Sequence, residues 1–61
     1  MDIKGARLQA GLRVTEVAKA MNVTEACVYQ WEAGDTAPKI DKLVKLAELF
    51  GVTVDELLKG A

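Results

Sequence analysis

The chain has 61 residues, 51% of them apolar and 28% charged, and eight Lys or Arg against nine Asp or Glu leave a net charge of −1. That length supports one small domain, residues 1–61, burying only about 60% of the surface its unfolded chain exposes. One cysteine and no histidine exclude an internal disulfide, zinc-finger ligand spacing and histidine-based catalysis, and a lone thiol suits a reducing cytoplasm.

The first helix is predicted over residues 2–10, with Gly5 inside it at a cost of about 1 kcal/mol relative to alanine. Gly11 ends it, because glycine enters the left-handed conformation found just past a helix end. A second helix over 14–21 carries the apolar stripe Val14, Val17, Ala18 and Met21, at spacings of three and four. Asn22 tolerates left-handed geometry and closes it. Thr24 caps a third helix over 25–33, with Val23 and Val28 placed as a hydrophobic staple. Val28 and Trp31 are its apolar positions. Pro38 confines Ala37 to extended geometry, so residues 34–39 form a loop. The fourth helix, 40–50, has the longest stripe: Ile40, Leu43, Leu46, Ala47 and Phe50. Thr53-Val-Asp-Glu56 is a capping box with Val52 and Leu57 as its staple. It opens a fifth helix over 54–59, whose apolar residues are Val54, Leu57 and Leu58. No stretch alternates long enough for a strand. The chain reads as all-α, five helices joined by short connections.

The second and third helices, each about two turns long, meet at Met21-Asn22-Val23-Thr24. So tight a turn makes the pair cross steeply. A small residue at Ala18 lets the third helix approach, while Val23, Val28 and Trp31 fill the angle between the two. This is the helix-turn-helix pattern. It leaves the outer face of the third helix, residues 25, 26, 29 and 30, free to enter a major groove.

The sequence resembles the phage repressor and Cro type of helix-turn-helix, the XRE family, over nearly its whole length. The matching residues are Arg7, Gly11-Leu12, Val17-Ala18, Asn22-Val23-Thr24, Val28-Tyr-Gln-Trp31-Glu32-Ala-Gly34 and Pro38, then Leu43-Val-Lys-Leu46-Ala47 and Phe50-Gly-Val-Thr-Val-Asp-Glu-Leu-Leu58. The resemblance implies a compact five-helix lambda-repressor-like domain that binds operator DNA, commonly as a two-fold homodimer. It also implies that Gln30 occupies a base-contacting position and that Arg7 and Glu32 form an internal ion pair. Three departures stand out. Arg13-Val14 replaces the family's frequent Ser-Gln at the start of the second helix, Glu25-Ala26 replaces its Arg, Ser or Gln early in the third, and Asn22 replaces the usual turn glycine.

Each candidate DNA contact has a plainer alternative. The Gln30 amide suits bidentate pairing with adenine, or Gln30 is an exposed helix residue. Tyr29 can press on a thymine methyl or reach a phosphate, or pack along the domain edge. Ala26 either meets a thymine methyl or is a good helix former. Glu25 at a helix N-terminus gains about 0.3–1 kcal/mol from the dipole without any ligand, the reading favoured over acceptance from a cytosine amino group. Thr24 caps the helix and is placed for a phosphate as well. Arg13, Lys39 and Lys42 are the candidate phosphate cations. For Arg7 the pairing role is favoured over a phosphate contact, and Trp31 is read as core. Cys27 reads as a small packed side chain. Leu8 and Val14 are apolar where the pattern allows polar residues, which raises an exposed patch or interface.

A pI near 5.2 is low for a DNA-binding chain, but the charges divide by face. The segments expected near DNA hold Arg13, Lys19, Lys39 and Lys42 against Glu25 and Asp35, a net of +2, and the remainder, with Lys4, carries −3. So few basic groups imply a shallow salt dependence per monomer and favour a dimer. No apolar run reaches the roughly 18 residues of a membrane span, and Met1-Asp2-Ile3-Lys4 is no signal peptide. No cofactor, metal site or small-molecule ligand is expected. No nucleophile–base pair or phosphate loop supports an enzyme. The leading expectation is a cytoplasmic, sequence-specific transcriptional regulator, in particular a repressor, acting on double-stranded DNA. The rival is a protein-interaction module of the same fold with a decayed DNA face.

Overall fold

The computed structural model describes residues 1–60; Ala61, the last residue of the predicted domain, lies outside them. Five α-helices follow in order: α1 Ile3–Gln9, α2 Val14–Met21, α3 Glu25–Ala33, α4 Ile40–Phe50 and α5 Val54–Lys59. The last four keep the bounds expected from capping and periodicity. The first is one residue shorter at each end, because Asp2 caps it rather than joining it. Its Oδ1 accepts from the Gly5 N–H at 2.9 Å. A Cβ on Gly5 would collide with that carboxylate. The glycine is therefore more than a liability: its intrinsic cost is offset by a cap bond of about 1 kcal/mol that an alanine would displace.

Local chemistry explains the other boundaries. Asn22 adopts φ 58° and ψ 45°, and the Val23 N–H reaches back to the Ala18 carbonyl at 2.9 Å, which ends α2 within one residue. The Thr24 hydroxyl accepts from Cys27 N at 3.1 Å and starts α3. In the box at α5, Thr53 Oγ1 accepts from Glu56 N, and Glu56 Oε1 accepts from Thr53 N.

The core gathers Val14, Val17, Ala18 and Met21 of α2, Val28 and Trp31 of α3, Leu43, Leu46, Ala47 and Phe50 of α4, Leu57 of α5, and Ile3 of α1. Three expectations need correction. Ile40 is 70% exposed although it continues the α4 stripe in sequence. It is the first helical residue, its side chain tilts back beyond the N-terminal end, and it lies about 70° from the stripe centred on Leu43 and Phe50. Val14 is buried and belongs to the core, so of the pair with Leu8 only Leu8 remains at the surface. Leu58 is likewise exposed, leaving Leu57 as the residue α5 buries.

Polar links fix the outer helices. The Asp2 N–H donates to the Leu57 carbonyl at 3.3 Å, joining the start of the chain to α5. Lys42 Nζ donates to the Met21 carbonyl at 3.4 Å, placing a cation at the negative end of α2. Arg7 of α1 meets Glu32 of α3, Nε to Oε2 at 2.6 Å. Among the described residues, no helix is long and apolar enough to cross a membrane.

Candidate nucleic-acid interface

The α3 helix is held by one edge. Val28 and Trp31 are its buried residues, Cys27 is half-buried, the Glu32 side chain is turned inward and nearly buried, and Glu25, Ala26, Tyr29, Gln30 and Ala33 are exposed. Alternation at three and four places Ala26, Tyr29, Gln30 and Ala33 on one outer strip. A helix whose outer strip carries an amide, a phenol and two methyls, with no core duty, can present them to base edges. Thr24 is exposed, and its hydroxyl, which accepts from Cys27 N, keeps a proton to donate.

The basic candidates fall into three environments. Arg13 is the N-cap of α2 and is exposed; Glu16 Oε1 accepts from its N–H at 2.9 Å. The reciprocal bond is impossible, because a guanidinium has no acceptor. Lys39 holds the same post at α4, again without a side-chain cap bond, whereas Asp2, Thr24 and Thr53 each cap their helices. A cation at the positive end of a helix forgoes a stabilising cap and opposes the dipole. Lys42 is half-buried and donates to the Met21 carbonyl, so it braces α4 on the turn of the helix pair, whereas Lys39 is exposed. Arg7 is turned inward: besides Glu32, its Nη1 donates to the Leu12 carbonyl at 3.0 Å.

That pair clamps α1 along α3, and a shallow groove of about 640 Å³ runs between them to the start of α2. Arg13, Glu25 and Tyr29 border it, as do Leu8, Thr15 and Lys4. Sequence reasoning missed Thr15 and consigned Lys4 to the acidic remainder. The signal for Lys4 was its position three residues before Arg7, which puts both on one helix face. Arg7–Glu32 is the single salt bridge among the described residues, so the charges of Lys4, Arg13 and Lys39 are unpaired.

The uncapped start of α2 gives a two-sided expectation. Arg13→Ser supplies the missing acceptor and completes the box with Glu16. It should raise stability by roughly 0.5–1 kcal/mol, read as a higher Tm. If Arg13 holds a phosphate, the same variant binds duplex DNA more weakly, with a salt slope smaller by about 1. Unchanged DNA binding would remove Arg13 from the interface.

A family model described as helix-turn-helix matches residues 3–57, and the chain belongs to that family, of the phage-repressor type its motifs resemble. Three curated relatives define the neighbourhood. An HTH-type transcriptional regulator, DdrOP3 of Deinococcus deserti, is 35% identical over 54 residues, which is 88% of this chain and 42% of that protein. The HTH-type transcriptional activator BcrR of Enterococcus faecalis is 32% identical over 88% of this chain and 28% of its own length. The cryptic phage CTXphi transcriptional repressor RstR of Vibrio cholerae is 30% identical over 97% of this chain and 53% of its own. The chain thus spans about half or less of each of these relatives. No solved structure gives a significant match.

Proposed function

We propose that this chain is a sequence-specific DNA-binding domain of a transcriptional regulator, and that α3 enters the major groove of an operator. The observation that carries the reading is the exposed strip of α3, held at the turn by Asn22 and Thr24 and left free of packing. Gln30 reads a base, with Tyr29 and Ala26 beside it contributing apolar contact to thymine methyls. Glu25 stabilises the helix start and penalises registers that would press it on a phosphate. Arg13, Lys39 and the Thr24 hydroxyl hold the backbone and fix register, while Lys42 supports the turn.

The working unit is a homodimer. Half-sites one turn apart put two domains about 34 Å centre to centre, and a domain whose longest axis is 24 Å then stands close to its neighbour. With few cations per copy, a second copy doubles the electrostatic gain. Repression by blocking polymerase is the output we favour, acting in a reducing cytoplasm where the free thiol of Cys27 stays reduced. That relatives are named both repressor and activator accords with one module serving either output.

The experiment is selection from a random duplex pool followed by salt titration on the enriched sequence. Enrichment of one motif, with affinity falling as salt rises, is the expected result. Failure to enrich any sequence would favour the interaction module instead. On the selected site, Gln30→Ala should cost about 1–3 kcal/mol and relax preference at one base position. An unaltered preference would exclude Gln30 from the readout.

A further inference from the structure

The groove between α1 and α3 adds a residue to the interface from a helix outside the helix-turn-helix pair. We propose that Lys4 of α1 neutralises a DNA backbone phosphate, as a positioning residue that strengthens binding without reading sequence. The proposal rests on the DNA-binding reading above and extends its surface across the groove.

Three observations carry it. First, α1 is not free to drift: the buried fork from Arg7 to Glu32, at 2.6 Å and 3.4 Å, fastens it to the recognition helix itself. Lys4 precedes Arg7 by three residues and therefore lies on the same side of α1. Second, Lys4 lines the groove whose other members include Glu25 and Tyr29, on the exposed part of α3, and Arg13 at the start of α2. On the DNA-binding reading, the backbone strand flanking α3 runs along this border, where a side chain as long and flexible as that of Lys4 can meet it. Third, the ammonium is uncommitted. Lys4 is exposed and makes no salt bridge among the described residues, whereas Arg7 on the same face is neutralised by Glu32. With Arg7 and Glu32 cancelling, the groove carries Lys4 and Arg13 against Glu25. It is a positive border on a chain whose net charge is −1.

The reading separates Lys4 from Gln30 by what each should change. A phosphate contact lowers affinity for every sequence alike and reduces the dependence of log K on log salt by about 0.9 per phosphate. A structural role would lower Tm and leave the slope alone. The test compares the protein with Lys4→Ala, Lys4→Arg and Lys59→Ala on the selected duplex, from low to moderate salt. Lys59, on α5, does not border the groove.

The expected result for Lys4→Ala is a slope shallower by about 0.9 for each bound copy, weaker binding on selected and unrelated duplexes by the same factor, and an unchanged Tm. Lys4→Arg should restore the slope, and Lys59→Ala should match the parent protein. A Lys4→Ala slope equal to that of the parent would overturn the assignment while leaving the DNA reading intact. A loss confined to the selected sequence would overturn it as well. A parent protein that binds no duplex would instead sink the DNA reading, and the inference with it.

Discussion

Glu32→Ala is expected to destabilise the domain by about 3–5 kcal/mol. The reason is the charge it leaves behind. The Arg7 and Glu32 side chains are only 10% and 7% exposed, and removing the carboxylate strands a guanidinium in the space between α1 and α3. Its remaining bond to the Leu12 carbonyl does not neutralise it. A domain of this size has about 3–9 kcal/mol of total stability at typical values per residue, so the variant should lose a third or more of it and melt far below the parent protein. Trp31 is the only tryptophan; it is buried and directly precedes Glu32. A red shift of its emission would report the loss directly. The pair Arg7→Met with Glu32→Leu should lie much closer to the parent protein, because it removes both charges and keeps the volume. If Glu32→Ala melts within about 1 kcal/mol of the parent, the ion pair behaves as a solvated surface pair and the clamp on α1 is not what holds it.

The same clamp explains why α1 was the least legible part of the chain. Its buried residues are Ile3 and Arg7, and a face that includes an arginine shows no apolar stripe to periodicity. The pairing of Arg7 with Glu32 came from resemblance, since nothing local ties residues 25 positions apart. Boundaries were legible wherever the chemistry is local. Thr24, Thr53 and Glu56 make their cap bonds within three residues, and Asn22 and Pro38 restrict their own backbone. Which edge of each helix meets the core is decided by neighbours. Ile40 extends a stripe in sequence yet has no partner at the helix end, and Val14 stands where the family often has Gln yet finds the core. Lys4 and Thr15 became candidates only once α1, α2 and α3 enclosed a groove. That the candidate phosphate cation Lys42 also reaches the Met21 carbonyl was set by the packing of α4 on α2, not by its own neighbours in sequence. Gln30, Tyr29 and Ala26 needed only the period of α3, because exposed positions on a short helix follow once Val28 and Trp31 are placed inside.

Leu46→Ala is the second large effect and links stability to binding. Leu46 is fully buried at the middle of α4, whereas Val44, two residues earlier, is 40% exposed. Truncating a buried leucine loses its transfer free energy and leaves a cavity, about 2–5 kcal/mol together. Val44→Ala should stay within about 0.5 kcal/mol of the parent. The damage from Leu46→Ala lies away from the exposed strip of α3 proposed to meet DNA, since α4 packs on α2 through the core and the Lys42 link. Apparent affinity should therefore fall only by the unfolded fraction, with the preferred sequence and salt slope unchanged. On the proposed function DNA binds only the folded form, so duplex at 100-fold above its Kd should return about 2.7 kcal/mol of stability, visible as a rise in Tm that an unrelated duplex at equal concentration fails to match. Gln30→Ala gives the opposite pattern: an unchanged Tm without DNA and a smaller rise with it. If saturating duplex leaves the Tm of Leu46→Ala unmoved, the helix pair does not bind that duplex as a folded unit, and the interface on α3 loses its support.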